Sequence, residues 1–519
     1  MKEGEIMGNE KDKSLNAVSP SYQKLLIIVP VLIVLALTVW FLLQPEKSIN
    51  LLNSINETFV GSISWLFLVL PLAVLGVSFW WALSKRGKIK MGGSDAKPKY
   101  PLWLYIGMIV CAGLAAGSCI FSLVEWSLYV NDPPFNIEPN SIEAAEWATS
   151  TNLFNWGLTV CGLNMLLVLP FCYTYYVRKR SVLRLGDVAA IMVGEDKPYA
   201  KTVRVVCNLI YIIVVLGGLC CTLGLGVPNI SMGLSNLFGF EATNLVNVIV
   251  IIVIAIIFSF SSSLGIKKGL SRLTSFNVFW ALAFLFVILL NNPVWILDNT
   301  LRGIGMMADN FMGYCFNTDT VYQGGFGSRW TLFFYAYAWA FAAMLSVLVV
   351  KISYGRTFRQ MIFSVIFGMT GGCWLLMGIN GSFGLKLFLD GKVNLPEIVA
   401  SEGNNAGIYA ILSNSNMGET IGTVAFLIMI ILFLSTSLDS ASLSLAAATQ
   451  REVSIDAEPA PKVRLMWCLI LAAIPLAMIA AGGNLSSLQA FVNLVCWPVL
   501  IVGLWMWYKI IKWSKEDGY

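Results

Sequence analysis

The chain contains no histidine, and only 12% of its 519 residues are charged. Without imidazole it lacks the commonest general base, the commonest metal ligand and the usual proton-relay side chain. The charged share is about half that of a soluble domain, too little polar surface for a water-soluble fold of this length. Eleven cysteines are present, none in a C-x-x-C pair and nearly all inside apolar runs. That pattern reads as small buried hydrophobes and speaks against a disulfide framework or a zinc site. No basic block with interleaved polar residues suggests nucleic acid. The first 20 residues are polar and mixed in charge, with no cleavable apolar leader.

What is abundant is apolar length. Hydrophobic residues make up 57% of the chain, and the mean hydropathy is +0.74. A bilayer core of roughly 30 Å needs about 20 apolar residues in helix. Twelve segments meet that requirement: about 24–43, 62–83, 102–130, 152–178, 203–230, 243–264, 274–291, 329–350, 360–385, 419–449, 463–482 and 486–512. Each must be helical, because lipid offers no water to an open backbone. The expectation is an all-α membrane protein with 12 transmembrane helices.

Basic residues set the orientation. With the N-terminus inside, 29 of the 34 Lys and Arg fall on the inner side, and Lys47, Arg302, Arg329, Lys386 and Lys392 fall outside. The alternation holds loop by loop, which supports the helix count, two cytoplasmic ends and a plasma (inner) membrane location. The outer stretch 292–328, with Trp295, Met306, Met307, Phe311 and Tyr314, is expected to include a helix on the membrane surface. The stretch 386–418 has room for another short one.

Charge inside the membrane is expensive and marks candidate sites. Glu125 lies late in the third segment, as a snorkelling carboxylate near the outer interface or as a functional group. Asp439 lies mid-segment in Ser435-Thr436-Ser437-Leu438-Asp439-Ser440-Ala441-Ser442 and needs partners: the hydroxyls, a cation or a basic side chain. Hydroxyls and freed backbone carbonyls suit a hard monovalent cation. Gly107, Gly113 and Gly117 in the third segment allow local unwinding or close helix packing. Aromatics cluster in Leu153-Phe154-Asn155-Trp156-Gly157 and along 330–341, which includes Tyr337, Trp339 and Phe341. Such faces attract cations without hydrogen-bond donors, above all quaternary ammonium, although most membrane aromatics are interface belt or packing.

These residues resemble the betaine/choline/carnitine transporter family over roughly 24–512. The anchors are Asp132-Pro133-Pro134-Phe135 with Glu138-Pro139-Asn140-Ser141, Phe154-Asn155-Trp156-Gly157, Trp330-Thr331, Ile352-Ser353-Tyr354-Gly355-Arg356-Thr357-Phe358-Arg359 and Thr436-Ser437-Leu438-Asp439-Ser440-Ala441-Ser442. The Pro-Pro-Phe stretch is most similar to the carnitine exchanger branch, the Thr-Ser-Leu-Asp stretch to the sodium-coupled betaine branch.

The resemblance implies a cytoplasmic segment 1–23, two leading helices in 24–101, inverted five-helix repeats in 102–291 and 329–512 joined by 292–328, and a short tail 513–519. It implies alternating access, homotrimers and a small zwitterionic or cationic substrate near mid-membrane. No catalytic residue and no cofactor is expected beyond Na+ as a coupling ion. Short ends imply constitutive uptake or exchange rather than osmosensing.

In the substrate box the resemblance places Trp156 on the first tryptophan position, Cys161 on the second and Asn164 on the next aromatic position. Leu128 stands on the third segment's aromatic position. In the eighth segment Tyr337 keeps an aromatic and Ala338 loses one, with Trp339 one residue past Ala338 and Phe341 beyond. Each lost aromatic face removes roughly 0.5–2 kcal/mol of cation–π attraction, so a less methylated or sulfonium zwitterion competes with a trimethylammonium substrate. The sodium ligands implied are Thr436 and Ser437 with backbone oxygens of Phe433, Cys111 and Leu114. The position where the exchanger branch carries an arginine is Asn277. Sodium symport and sodium-independent exchange are the two modes.

Overall fold

The computed structural model describes residues 20–263, 271–318, 321, 324–450, 461–480 and 485–519. Among them there is no strand, only an isolated antiparallel bridge between Lys90 and Thr357. Among the described residues, nine helices are long and apolar enough to cross a membrane, or ten if a bent pair counts as one span. The bent pair is α3 (Leu102–Asn131), whose limbs Leu102–Gly113 and Ala116–Asn131 incline 71° to one another. The other spans are α1 (Pro20–Leu43), α2 (Pro45–Leu83), the broken helix from Ile142 to Val177, α8 (Ala200–Phe238), α10 (Ser271–Leu289), α13 (Leu332–Ile352), α14 (Phe358–Leu389), α17 (Gly418–Thr449) and α19 (Leu485–Glu516). Two further helices of 20 residues, α9 (Asn244–Ser263) and α18 (Pro461–Ala480), cover the remaining expected segments. Proline sits inside several of these helices, for example Pro71 in α2 and Pro228 in α8, as membrane helices tolerate.

Several boundaries differ from the hydropathy reading. The expected span 62–83 is only the second half of α2, a 39-residue helix that starts with Pro45 in its first turn. Hydropathy sees the apolar part of a helix, whereas backbone bonding carries it on through polar residues. The fourth segment is not one helix beginning near 152. It starts as α4 (Ile142–Asn155), where the Ser141 hydroxyl accepts from Ala144 N–H at 3.0 Å. The chain breaks at Trp156-Gly157, then continues as α5 (Leu158–Leu163), α6 (Met165–Cys172) and a π-helical turn Tyr173–Val177. Gly157 permits the break: a Cβ there would lie 2.8 Å from the Leu153 carbonyl oxygen.

The stretches between spans hold helices of their own: α7 (Leu185–Val193), α11 (Pro293–Asp309), α12 (Phe311–Cys315), α15 (Leu395–Glu402) and α16 (Asn404–Ser413). The segment after α19 is no free tail. The helix runs to Glu516, and Arg178 pairs with Glu516 at 3.1 Å and Asp517 at 3.0 Å while Tyr173 O–H donates to Asp517 at 2.6 Å. At the same end, Gly355 N–H donates to the Met91 carbonyl at 2.8 Å and Met91 N–H to the Arg356 carbonyl at 2.9 Å, across the two loops that follow α2 and α13. Gly355 is in the left-handed region at φ +81°, and a Cβ on it would come within 2.3 Å of the Lys97 carbonyl carbon.

The core centres on α3, which packs against α4, α10, α14 and α17. Helix α13 is buried along almost its whole length. Residues 1–19 of the expected segment 1–23 and the stretch Gly265-Ile266-Lys267-Lys268-Gly269 lie outside the described residues.

Candidate substrate and cation site

The site is built where the broken fourth span meets α3 and α13. Trp156 caps α4 with φ −113° and ψ 23°, a non-helical conformation that turns its ring inward. The ring is buried, 5.3 Å from the Phe334 ring and 6.2 Å from Phe121. Phe334 is 5.0 Å from Phe333, Phe333 stacks on Tyr337 at 5.7 Å, and Tyr337 meets Phe341 edge-on at 4.7 Å. A continuous aromatic wall therefore runs from Trp156 to Phe341. Residues 333, 337 and 341 share one face of α13 because four residues are slightly more than one turn. Gly117 lets α3 approach this wall: a Cβ there would sit 2.8 Å from the Tyr337 hydroxyl. That hydroxyl bonds the Thr222 hydroxyl of α8 at 2.7 Å.

Glu125 closes one end. It is fully buried and does not snorkel. Trp156 Nε1–H donates to its Oε2 at 2.7 Å, and Tyr129 O–H donates to its Oε1 at 2.5 Å. Asn155 Nδ2 donates to Tyr129 at 2.7 Å, and the Thr331 hydroxyl donates to Asn155 Oδ1 at 3.3 Å. Every bond in this series points toward the carboxyl group, and both of its donors, Trp156 and Tyr129, are neutral. Above it, Arg329 grips Asp132 with Nη2 at 2.6 Å and Nε at 3.1 Å, and Trp330 Nε1–H donates to the same carboxylate at 2.7 Å.

Of the residues singled out in the sequence, Trp156, Cys161 and Asn164 lie on one short broken stretch. Cys161 Sγ is 3.9 Å from the Trp156 carbonyl oxygen, and Asn164 Nδ2 donates to the Cys161 carbonyl at 3.1 Å. Asn164 Oδ1 is buried without a hydrogen-bond partner. Tyr337 and Phe341 belong to the wall. Trp339 does not: its ring turns away to Phe67 at 5.5 Å and Trp497 at 6.3 Å. Leu128 is half-buried farther along α3, and its carbonyl takes the Asp132 N–H. Glu125, marked in the sequence by its intramembrane charge, and Phe333 and Phe334, within the 330–341 aromatic cluster, enter the site, as does Phe121, which nothing in the sequence reading singled out. Their signal was spacing: Gly117, Phe121 and Glu125 repeat every four residues along α3, as 333, 337 and 341 do along α13.

The cation set lies on α17 beside the bend of α3. Thr436 Oγ1 is 2.9 Å from the Phe433 carbonyl oxygen and 3.4 Å from that of Cys111, and Ser437 Oγ is 2.9 Å from the Phe433 oxygen. Leu114 stands in the bend, its side chain outside the described residues. These donors are neutral oxygens, a set that suits a hard monovalent ion and fits Na+. Asp439 takes no part. Arg464 of α18 binds its carboxylate, both side chains are 3% exposed, and the neighbouring Ser435, Ser440 and Ser442 hydroxyls donate to backbone carbonyls. Asn277 is buried on α10 with both amide atoms unpartnered.

The profile of the betaine/carnitine/choline family transporters, BCCT, matches residues 25–519. The chain belongs to the BCCT family. A carnitine transporter of Acinetobacter baumannii is 29% identical over 452 residues, covering 86% of this chain and 81% of that protein. An Escherichia coli K12 transporter, YeaV, which is described as uncharacterized, is 28% identical over 449 residues, covering 86% and 92%. A solved structure of a substrate-bound, outward-open, Na+-coupled sialic acid symporter matches 85% of each chain at 12% identity, with a TM-score of 0.43. A likeness that loose carries no argument about the site. The chain is thus a multi-pass membrane transporter of the BCCT family, not an enzyme.

Proposed function

We propose that this BCCT protein is a secondary active transporter that moves a quaternary-ammonium or related zwitterionic compound by alternating access, coupled to Na+. The observation that carries this reading is the aromatic wall from Trp156 to Phe341 with the buried Glu125 carboxylate at its end. Aromatic faces attract an organic cation in a low dielectric, and a carboxyl group beside them can carry the balancing charge when the cation is bound. Trp156, Tyr337 and Phe341 supply faces to the cation, and Cys161 and Asn164 line the smaller side. Trp339 and Leu128 act from outside that wall. The coupling ion takes Thr436, Ser437 and the backbone oxygens of Phe433, Cys111 and Leu114.

The architecture that goes with this function is two leading helices, then inverted repeats over 102–291 and 329–512, assembled as a homotrimer in the inner membrane with both ends cytoplasmic. The bend of α3 at Gly113 supports it, because broken helices form binding sites in such carriers. A second reading is a sulfonium or less methylated zwitterion: the less methylated amine is favoured by Asn164 Oδ1, unpartnered among the described residues, an acceptor that a trimethylammonium or sulfonium group cannot use and an N–H donor can. Sodium-independent exchange is the alternative mode.

The test is thermal stabilisation of purified protein by glycine betaine, choline, carnitine, γ-butyrobetaine, dimethylglycine, proline betaine and dimethylsulfoniopropionate, each with and without Na+. A ligand that binds only the folded state stabilises it by mass action. A sodium-dependent shift with one trimethylammonium compound supports the first reading. A shift only with dimethylglycine or the sulfonium compound supports the second. No shift with any member overturns both.

A further inference from the structure

A cleft of about 300 Å³ opens where α8 begins, beside the end of α7 and the last turns of α19, far along the chain from the aromatic wall. It is lined by Val193, Tyr199, Val203, Cys207, Trp505 and Lys509. The lining is graded by depth. Tyr199 precedes the first residue of α8, and Cys207 lies about two turns into it, roughly 12 Å at 1.5 Å per residue. On α19, Lys509 is one turn nearer the helix end than Trp505. The rim therefore carries an ammonium and a phenol, and the depth carries Val203, Cys207 and the indole.

The charge at the rim is unspent. Lys509 Nζ sits 5.8 Å from the Trp505 ring centroid and has no ion-pair partner among the described residues. Of the acids along α7 and the following loop, Asp187 pairs with Arg184 and Arg204 and Glu195 with Arg180, whereas Asp196 has no ion pair among the described residues and does not pair with the lysine at the rim. Exposed apolar residues flank the cleft, with Val206 46% and Tyr508 64% exposed, so its mouth continues into a lipid-facing surface.

We infer that this cleft binds an anionic phospholipid, its phosphodiester on Lys509 and Tyr199 and an acyl chain along Val203, Cys207 and Trp505. A soluble anion would use only the rim. A zwitterionic lipid brings its own ammonium beside Lys509 and binds less well. The loops at this end carry most of the chain's Lys and Arg, which places the cleft at the leaflet face where polybasic segments meet anionic headgroups.

The experiment is native mass spectrometry of the full-length protein in detergent, titrated with phosphatidylglycerol or phosphatidylcholine. Wild type retains one phosphatidylglycerol about fivefold more readily than phosphatidylcholine. Lys509→Glu lowers phosphatidylglycerol retention at least threefold and leaves phosphatidylcholine unchanged. Val203→Trp, which fills the apolar depth, lowers both. Lys512→Glu, one turn farther along α19, alters neither. Unchanged phosphatidylglycerol retention in Lys509→Glu overturns the proposal, as does an equal loss in Lys512→Glu, which would make the effect one of overall charge. Should Lys509→Glu not fold, Lys509→Gln and Val203→Trp decide the matter by the same readout.

Discussion

The indole N–H of Trp156 donates to the Glu125 carboxylate across 2.7 Å, joining the break in the fourth span to α3. The bond fixes the ring that opens the aromatic wall. It also sets the carboxyl group at the ring's edge, beside the face that a cation would meet. Both groups that donate to the carboxyl, Trp156 and Tyr129, are neutral, so neither supplies a counter-charge to it.

Glu125→Gln keeps the shape and removes the charge. Hydrogen bonds to charged groups contribute about 1.5–3 kcal/mol, so the substrate's KM should rise roughly 10- to 100-fold with a smaller change in kcat. Trp156→Ala should lose a comparable factor, and the double variant should lose less than the product of the two, because the residues act as a unit. Uptake kinetics in proteoliposomes check this. An unchanged KM in Glu125→Gln would remove the carboxylate from substrate binding.

The sodium reading is tested one helix away. Thr436→Ala and Ser437→Ala each delete a hydroxyl and leave the backbone oxygens of Phe433 and Cys111 in place. The apparent Na+ affinity should fall about tenfold, the scale of 1.4 kcal/mol for one lost ligand, while substrate affinity at saturating Na+ changes little. Full transport by wild type in sodium-free medium would defeat the coupling scheme, and attention would then turn to Asn277, the unpartnered amide where the exchanger branch carries a charge.

Much of this was legible in the sequence because bilayer physics is restrictive. Apolar runs located the spans, since nothing but helix satisfies the backbone in lipid. They misplaced the starts of α2 and α4 because a helix continues through polar residues that hydropathy does not see. Trp156 and Tyr337 were visible as aromatic clusters, yet Trp339 looked equivalent to Tyr337. Only three-dimensional packing shows that its ring faces Phe67 and Trp497. Glu125 was ambiguous for the same reason: a carboxylate near a helix end either snorkels or finds donors, and its donors come from α4 and from α3 itself.

Asp439 and Arg464 form a buried ion pair between α17 and α18. Removing one partner of such a pair leaves an uncompensated buried charge and costs about 3–5 kcal/mol, whereas removing both costs far less. Asp439→Asn and Arg464→Gln should each lower the melting temperature sharply, and the double variant should recover most of the loss. A double-mutant cycle by thermal denaturation measures it. Additive losses would mean that the pair contributes no coupling.

The Asp132–Arg329 pair behaves differently because it meets water. The Arg329 side chain is 51% exposed and that of Asp132 35%, a setting in which an ion pair contributes about 0–1 kcal/mol. Its position gives it another consequence. It ties the end of α3 to the turn that opens α13, directly above the Tyr129–Trp330 ring contact at 5.5 Å and the donor series that ends on Glu125. Asp132→Asn should therefore leave stability within about 1 kcal/mol of wild type and loosen the closure over the site. Cys161 reports on that closure, since its thiol is buried beside Trp156. A membrane-impermeant methanethiosulfonate reagent added from outside should label Cys161 several-fold faster in Asp132→Asn than in wild type, with Cys161→Ala giving the background. Equal labelling rates in the two proteins would mean that the Asp132–Arg329 contact sits on the outer face without closing it, and that the Tyr129–Trp330 rings alone hold the site shut.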